Sequence, residues 1–316
     1  MKLFSENLGE VKTDEELASL QQQFPQYDPG YITQSAGLPR RREKEWMEKL
    51  WEQYEQYADP HFLEDFKRQF AQRSWELYLG TTLLSRGFKL GKHNSAGPDF
   101  DIQNEKGVRL AWVEAIATDK GKGNDRVPDM VYGVGSNVPE EEMLLRVTNA
   151  LDKKFKKYKI EIENKIVKEN EPYVIAINRS NLDHLDPLLP LILKAVFGIG
   201  HLTLRIMVGG VRQENPESYW GRQPKIAKKS GKEVPTLFFE DEKHAGISAV
   251  IYCADNILNS PRVPEEMGEN FVIIHNPLAK NPLLDGFFPF GDEHRAEASF
   301  IKKIRERKDW NKHSPF

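Results

Sequence analysis

Glu114 stands in the middle of residues 108–117, a run that is otherwise almost wholly apolar: Leu110, Ala111, Trp112, Val113, Ala115, Ile116 and Ala117. A carboxylate in such a stretch must be paired, protonated or bound to a metal, because desolvating it alone costs several kcal/mol. Asp99 comes earlier, directly after Pro98, with fourteen residues between it and Glu114. Alternation along a strand puts Asp99 and Asp101 on one face. Two carboxylates from adjacent strands plus a backbone carbonyl make an oxygen site suited to Mg²⁺ or Mn²⁺. The other reading is that Glu114 pairs with a buried Arg or Lys and does no chemistry.

The elements that would position these acids follow from periodicity. Residues 1–39 read as irregular, punctuated by Pro25, Pro29-Gly30 and Gly37-Leu38-Pro39. Residues 40–57 read as a helix with Trp46, Leu50, Trp51 and Tyr54 on one face. Asp59-Pro60 ends it, and a longer helix starts at about His61, carries Phe62, Phe66, Phe70, Leu77 and Leu84, and stops near Gly87. The period then changes to that of strands, at 88–90, 98–102 and 108–117, with turns at 94–97 and 105–107. The third strand is apolar on both faces and should lie centrally in a covered sheet. After a loop with Gly121, Gly123, Gly133 and Gly135, Pro139-Glu140-Glu141-Glu142 opens a helix reaching about Ile160, its acidic first turn matching the helix dipole. A strand at 173–177, a helix at 188–197, a strand at 202–208, a polar loop through Gly231 and strands at 249–253 and 271–275 follow. A basic helix at about 300–310 closes the chain. The class is α/β.

Gly97-Pro98-Asp99, a hairpin, and then Val113-Glu114-Ala115-Ile116 resemble the PD-(D/E)XK nuclease superfamily. The resemblance covers about residues 61–180 and implies a restriction-endonuclease-like αβββαβ core with a mixed sheet. Residues 1–60 would then be a helical N-terminal extension, and 181–316 a C-terminal elaboration of additional strands and a helix. It further implies that Asp99 and Glu114 hold a metal ion, Mg²⁺ or Mn²⁺, that activates water against phosphorus. Ala115 would lend its carbonyl. Glu76, at the margin of the core-facing stripe of the preceding helix, resembles a further metal-site acid of several branches; its other reading is a buried Glu paired with Arg. The sequence departs from the pattern two residues after Glu114, where Ile116 replaces the motif lysine. Some members carry that lysine on the next helix. There Lys154 projects about 60° from Leu151, at the edge of the stripe formed by Leu144, Val147, Leu151, Phe155 and Tyr158. Arg146, Lys153 and Lys157 fall on the opposite, solvated side. Lys120 and Lys122 are weaker substitutes for the lysine, and Asp125 and Asp129 are not expected to be ligands.

Composition bounds the rest. The 316 residues carry 45 Lys+Arg against 48 Asp+Glu, a net charge of −3. That excludes a bulk polycation but not local basic clusters, which occur at 153–159, 225–232 and 302–312. A single cysteine, Cys253, excludes an intramolecular disulfide and a Cys-based zinc site. Residues 1–8 lack the apolar core of a signal peptide, and the apolar stretch 188–200 is too short for a membrane span, so a cytoplasmic protein is expected. His184, His201, His244 and His275 lack ligand spacing, and no Walker loop or nucleophile elbow occurs. The expectation is a metal-dependent nuclease acting on DNA through Asp99, Glu114 and Lys154, with Glu76, Asp99, Glu114 and Ala115 as metal ligands. The alternative is a catalytically inactive module binding nucleic acid or a protein partner. A homo-oligomer or partner contact is expected at the Trp46/Trp51 helix.

Overall fold

The computed structural model describes residues 1–37, 40–92, 96–131, 133, 137–204, 218–297 and 300–309. Parts of the predicted 94–97 turn, the 202–208 strand and the 302–312 basic run, with Gly135 and Leu38-Pro39, lie outside them.

The architecture is mixed α/β. The first helices, α1 (Asp14–Gln23) and α2 (Pro29–Ala36), occupy a stretch expected to be irregular. Their start signals are in the sequence: Thr13 and Glu16 form a reciprocal capping box, and Asp28 caps α2 ahead of Pro29. Next come α3 (Arg41–Tyr54), α4 (Phe62–Arg68) and α5 (Phe70–Ser85). The single long helix expected from His61 is thus two helices. Asp28 pins the break: its N–H donates to the Lys67 carbonyl at 2.7 Å, and its Oδ2 accepts the Phe70 N–H at 3.3 Å.

The meander β1 (Lys89–Leu90), β2 (Phe100–Gln103) and β3 (Arg109–Ala117) leads through α6 (Glu140–Glu163) to β4 (Tyr173–Asn178). The order α5-β1-β2-β3-α6-β4 follows the helix, three-strand, helix, strand sequence read from periodicity. Then come α7 (Leu191–Phe197), β5 (Ile199–Leu204), β6 (Ser218–Arg222), β7 (Lys225–Ala227), β8 (Glu233–Pro235), β9 (Ala249–Cys253), β10 (Phe271–His275), β11 (Asp292–Glu297) and β12 (Phe300–Arg305). Eight of these strands make one sheet in the order β1-β2-β3-β4-β9-β10-β11-β12. β3, β4 and β9 run parallel in its middle, where β4 and β9 are wholly buried.

The C-terminal helix expected at 300–310 is instead the edge strand β12, antiparallel to β11. Its lysines find acids on and beside that neighbour, Lys303 with Asp292 and Lys302 with Glu297, both at 3.3 Å. A lysine-rich edge strand also discourages further pairing. The polar segment expected as a loop through Gly231 holds the hairpin β7–β8 and the strand β6, which pairs with β5.

The sheet has a packed layer on each face. Val113, Ala115, Val174, Ala176, Ile251 and Ile273 join α3, α4 and α5 in one apolar cluster. Trp112, Ile116, Ile175, Ile177, Val250 and Ile274 join α6 and α7 in the other. Glu114 falls between Trp112 and Ile116, so it faces α6.

Candidate active site

The site lies where β2 and β3 part. The strands pair from Gln103↔Arg109 to Phe100↔Val113, after which β2 has begun and β3 runs on alone on that edge. Side chains replace the missing strand. The Ala115 N–H donates to Asp99 Oδ2 at 2.7 Å. Gln72, on α5, donates its amide to the Ala115 carbonyl at 3.2 Å and accepts the Ala117 N–H at 2.7 Å. The gap in the ladder is thereby filled from Asp99 and α5, with the edge's polar groups satisfied.

Glu76 approaches from the α5 side and is wholly buried. Its Oε2 accepts from Arg73 Nη1 at 2.6 Å, and its Oε1 from the Tyr54 hydroxyl at 3.3 Å. Arg73 also binds Asp65 at 2.6 Å. Burial, and next the charge of Asp99, push the Glu76 carboxyl up to about 8, against the pull of Arg73. α5 lies close enough for this because residue 80 is glycine; a Cβ there would sit 2.8 Å from the Phe100 ring.

Glu114, equally buried, approaches from the α6 side. Lys154 binds its Oε1, and Lys157 reaches both oxygens, at 2.6 and 2.7 Å. Burial and then Asp99 raise the Glu114 carboxyl, and the two lysines oppose them. For Lys157, burial lowers the ammonium, but Glu114 and Asp99 together outweigh it and leave the group raised.

The structure therefore brings Glu76, Asp99, Glu114, Ala115 and Lys154 into one neighbourhood, with half-buried Asp99 acting on the acids of both layers. Glu76 and Glu114 also make the ion pairs that were the other readings of these two residues. Lys157 is a correction: expected on the solvated side, it is the second cation on Glu114, because its four-carbon stem carries the charge back toward the sheet. Its signal was the three-residue spacing from Lys154, which places both on neighbouring turns of one face. Gln72 and Arg73, four and three residues before Glu76, were missed by the same oversight. Asp101 turns away to Arg109, at 2.7 Å. Lys120 binds Asp129 and Asp183 at 2.7 and 2.5 Å, and Asp125 accepts the Lys229 N–H at 2.7 Å, so neither segment enters the site.

Among the described residues, one group offers three metal-ligand atoms within 4.8 Å of one another, and it lies elsewhere: His275, Asp285 and Glu293. That group could hold a metal ion. Its acids already have partners: His275 Nε2 lies 2.6 Å from Glu293, the Gly286 N–H donates to Glu293 at 2.9 Å, and Arg295 binds Asp285 at 2.5 Å. Among the described residues, the buried Nδ1 of His275 has no acceptor to fix the tautomer a metal would need.

Cys253 is a buried free thiol, as expected of a small apolar residue in a strand. Among the described residues, no helix is long and apolar enough to cross a membrane. No family model matches the chain, and no curated protein or solved structure matches it.

Proposed function

We propose that the protein is a metal-dependent nuclease that hydrolyses phosphodiester bonds in DNA, built on a restriction-endonuclease-like core. The observation that carries this reading is the place of Asp99 at the split edge of β3, where its Oδ2 accepts the Ala115 N–H at 2.7 Å and its charge raises the buried carboxyls of Glu76 and Glu114 on the two sides of the sheet. A divalent cation relieves such crowding, and hard carboxylate oxygens suit Mg²⁺ or Mn²⁺. The donor set fits the ion in type, with the Ala115 carbonyl keeping one lone pair beyond its bond to Gln72. Glu114, whose oxygens are held by Lys154 and Lys157, would belong to the set in place of those contacts. Glu76, Asp99, Glu114 and Ala115 would hold the metal, which when bound supplies an activated water and neutralises charge on the phosphate.

The chain's own residues do the rest. Lys154 and Lys157 would supply positive charge to the phosphate oxygens and so take the part left open by Ile116. Arg73 and Tyr54 hold Glu76 in orientation, and Gln72 keeps the β3 edge from closing on another strand. The lone thiol fits a reducing, cytoplasmic setting.

A second reading, an inactive nuclease-like module that binds nucleic acid or a protein partner, is favoured by one observation: both Glu114 oxygens are occupied by lysine. One substitution separates the two. Asp99→Asn keeps an acceptor for the Ala115 N–H, so the fold and its Tm should persist. Mn²⁺-dependent nicking of plasmid DNA should fall at least about 100-fold, and the calorimetric heat of Mn²⁺ binding should shrink against wild type. Equal nicking by both proteins would sink the nuclease assignment. Equal Mn²⁺ heats with no nicking by either would favour the inactive module.

A further inference from the structure

A cavity of about 290 Å³ opens beside Asp99, lined by Lys92, Pro98, Asp101, Arg109, Trp112 and Lys165 among others. Its back wall is fixed. The Arg109 guanidinium lies 3.6 Å over the Trp112 ring, binds Asp101 at 2.7 Å and binds Glu171 at 3.0 Å, while the Trp112 indole N–H donates to Glu171 at 2.9 Å. Gln103 also donates to Asp101, at 2.7 Å. Asp101 is thereby spent inside the wall. The other charged residues lining the cavity are Asp99, Lys92 and Lys165; both lysines are exposed, and no ion pair ties either to an acid among the described residues.

Lys165 is there under strain. It follows the end of α6 with φ of 59°, the left-handed conformation that closes helices and that glycine adopts freely. The turn is held by the bond of the Lys165 N–H to the Ile162 carbonyl at 3.0 Å and of the Ile166 N–H to that of Glu161 at 2.9 Å. Among the described residues, Asp183 is the only other non-glycine with positive φ, and short polar residues tolerate it. A lysine in this position sacrifices stability and places an ammonium at the cavity. Lys165 lies two residues past the end of α6, the helix whose Lys154 and Lys157 hold Glu114.

We propose that this cavity is a phosphate subsite, in which Lys165 and Lys92 hold the backbone phosphate next to the one at Asp99. The proposal rests on the nuclease reading and adds to it a fixed anchor for the neighbouring nucleotide, ahead of any contact to bases. Its ligand is a nucleic-acid phosphodiester, because two unpaired ammonium groups beside an acid cluster attract an anion that continues from the scissile group.

The test separates strain from binding. Binding of a fluorescein-labelled DNA oligonucleotide to the full-length protein is read by anisotropy in Ca²⁺ at a series of salt concentrations, alongside Tm. Lys165→Gly relieves the left-handed backbone, so Tm should rise by about 2–3 °C. Affinity should nevertheless fall about fivefold, with the salt slope reduced by about one phosphate contact. Lys165→Glu should weaken binding further, and Lys156→Ala, on the far side of α6 and paired with Asp152, should bind as wild type. If Lys165→Gly binds DNA like wild type while wild type still nicks plasmid, the subsite falls and the nuclease reading stands. If wild type neither binds the oligonucleotide nor nicks plasmid, both fall.

Discussion

At the scale of single residues, Glu114 was legible and its partners were not. An acid inside an apolar strand announces a required partner, whatever that partner is. A helical wheel treats each side chain as a point on a circle, and a lysine is a charge on a long, flexible stem, so Lys157 was misplaced by the distance its stem covers. The pairing has an energetic signature. Glu114→Gln leaves Lys154 and Lys157 facing each other with the carboxylate gone, and removing the acid of a buried ion pair costs about 3–5 kcal/mol. Lys154→Met leaves Glu114 paired with Lys157 and should cost less than half as much. Combining the two substitutions should recover part of the Glu114→Gln loss, because the methionine no longer needs a counter-charge. Urea denaturation of the four proteins measures this. A Glu114→Gln loss below about 1 kcal/mol would show that the lysines are solvated and that the acid carries little of the site's electrostatics.

At the scale of elements, the meander, the flanking helices and a central, covered 108–117 strand followed from the apolar pattern, whereas the parallel pairing of β3, β4 and β9 did not. The errors came where a tertiary partner decides. Gln69 interrupts a helical pattern because Asp28, 42 residues before Phe70, takes the Phe70 N–H. The basic segment after Phe300 becomes a strand because β11 offers it acids. The clamp by Gln72 is a case of the same kind: a side chain on α5 completes a ladder that sequence alone assigns to strands. Gln72→Ala should expose the Ala117 N–H and the Ala115 carbonyl to solvent or leave them unpaired, at a cost of about 1–3 kcal/mol. Hydrogen exchange reports it locally: the Ala117 amide should lose protection while those of β4 keep theirs. Unchanged exchange at Ala117 would mean that the edge of β3 is covered by something other than Gln72.

At the scale of the whole molecule, near-neutral charge conceals how the basic runs are used. Lys225 pairs with Glu233, Lys229 with Glu142, and Lys302 with Glu297. These runs are thus partly balanced within the chain. The N-terminal helices are likewise absorbed. Trp46, Met47, Leu50, Trp51 and Tyr54 are at most 3% exposed and belong to the same apolar cluster as Phe100, Val113 and Phe271. The face that the sequence offers to a partner is thus occupied by the chain's own sheet layer, and Tyr54 from it reaches Glu76. Burying side chains of this size contributes about 1.5–3 kcal/mol each, so five of them outweigh much of a net stability of about 5–15 kcal/mol. Deleting residues 1–58 should therefore abolish cooperative thermal unfolding and leave an aggregating protein, with Phe62, Phe66 and Phe100 uncovered. A truncated chain that stays monomeric and melts cooperatively would show that α5 and the sheet form a self-sufficient core, with the first three helices an appendage to it. Activity of that truncated form would then report on the combined loss of the Tyr54 hydroxyl at Glu76 and of the Asp28 contacts that fix the start of α5.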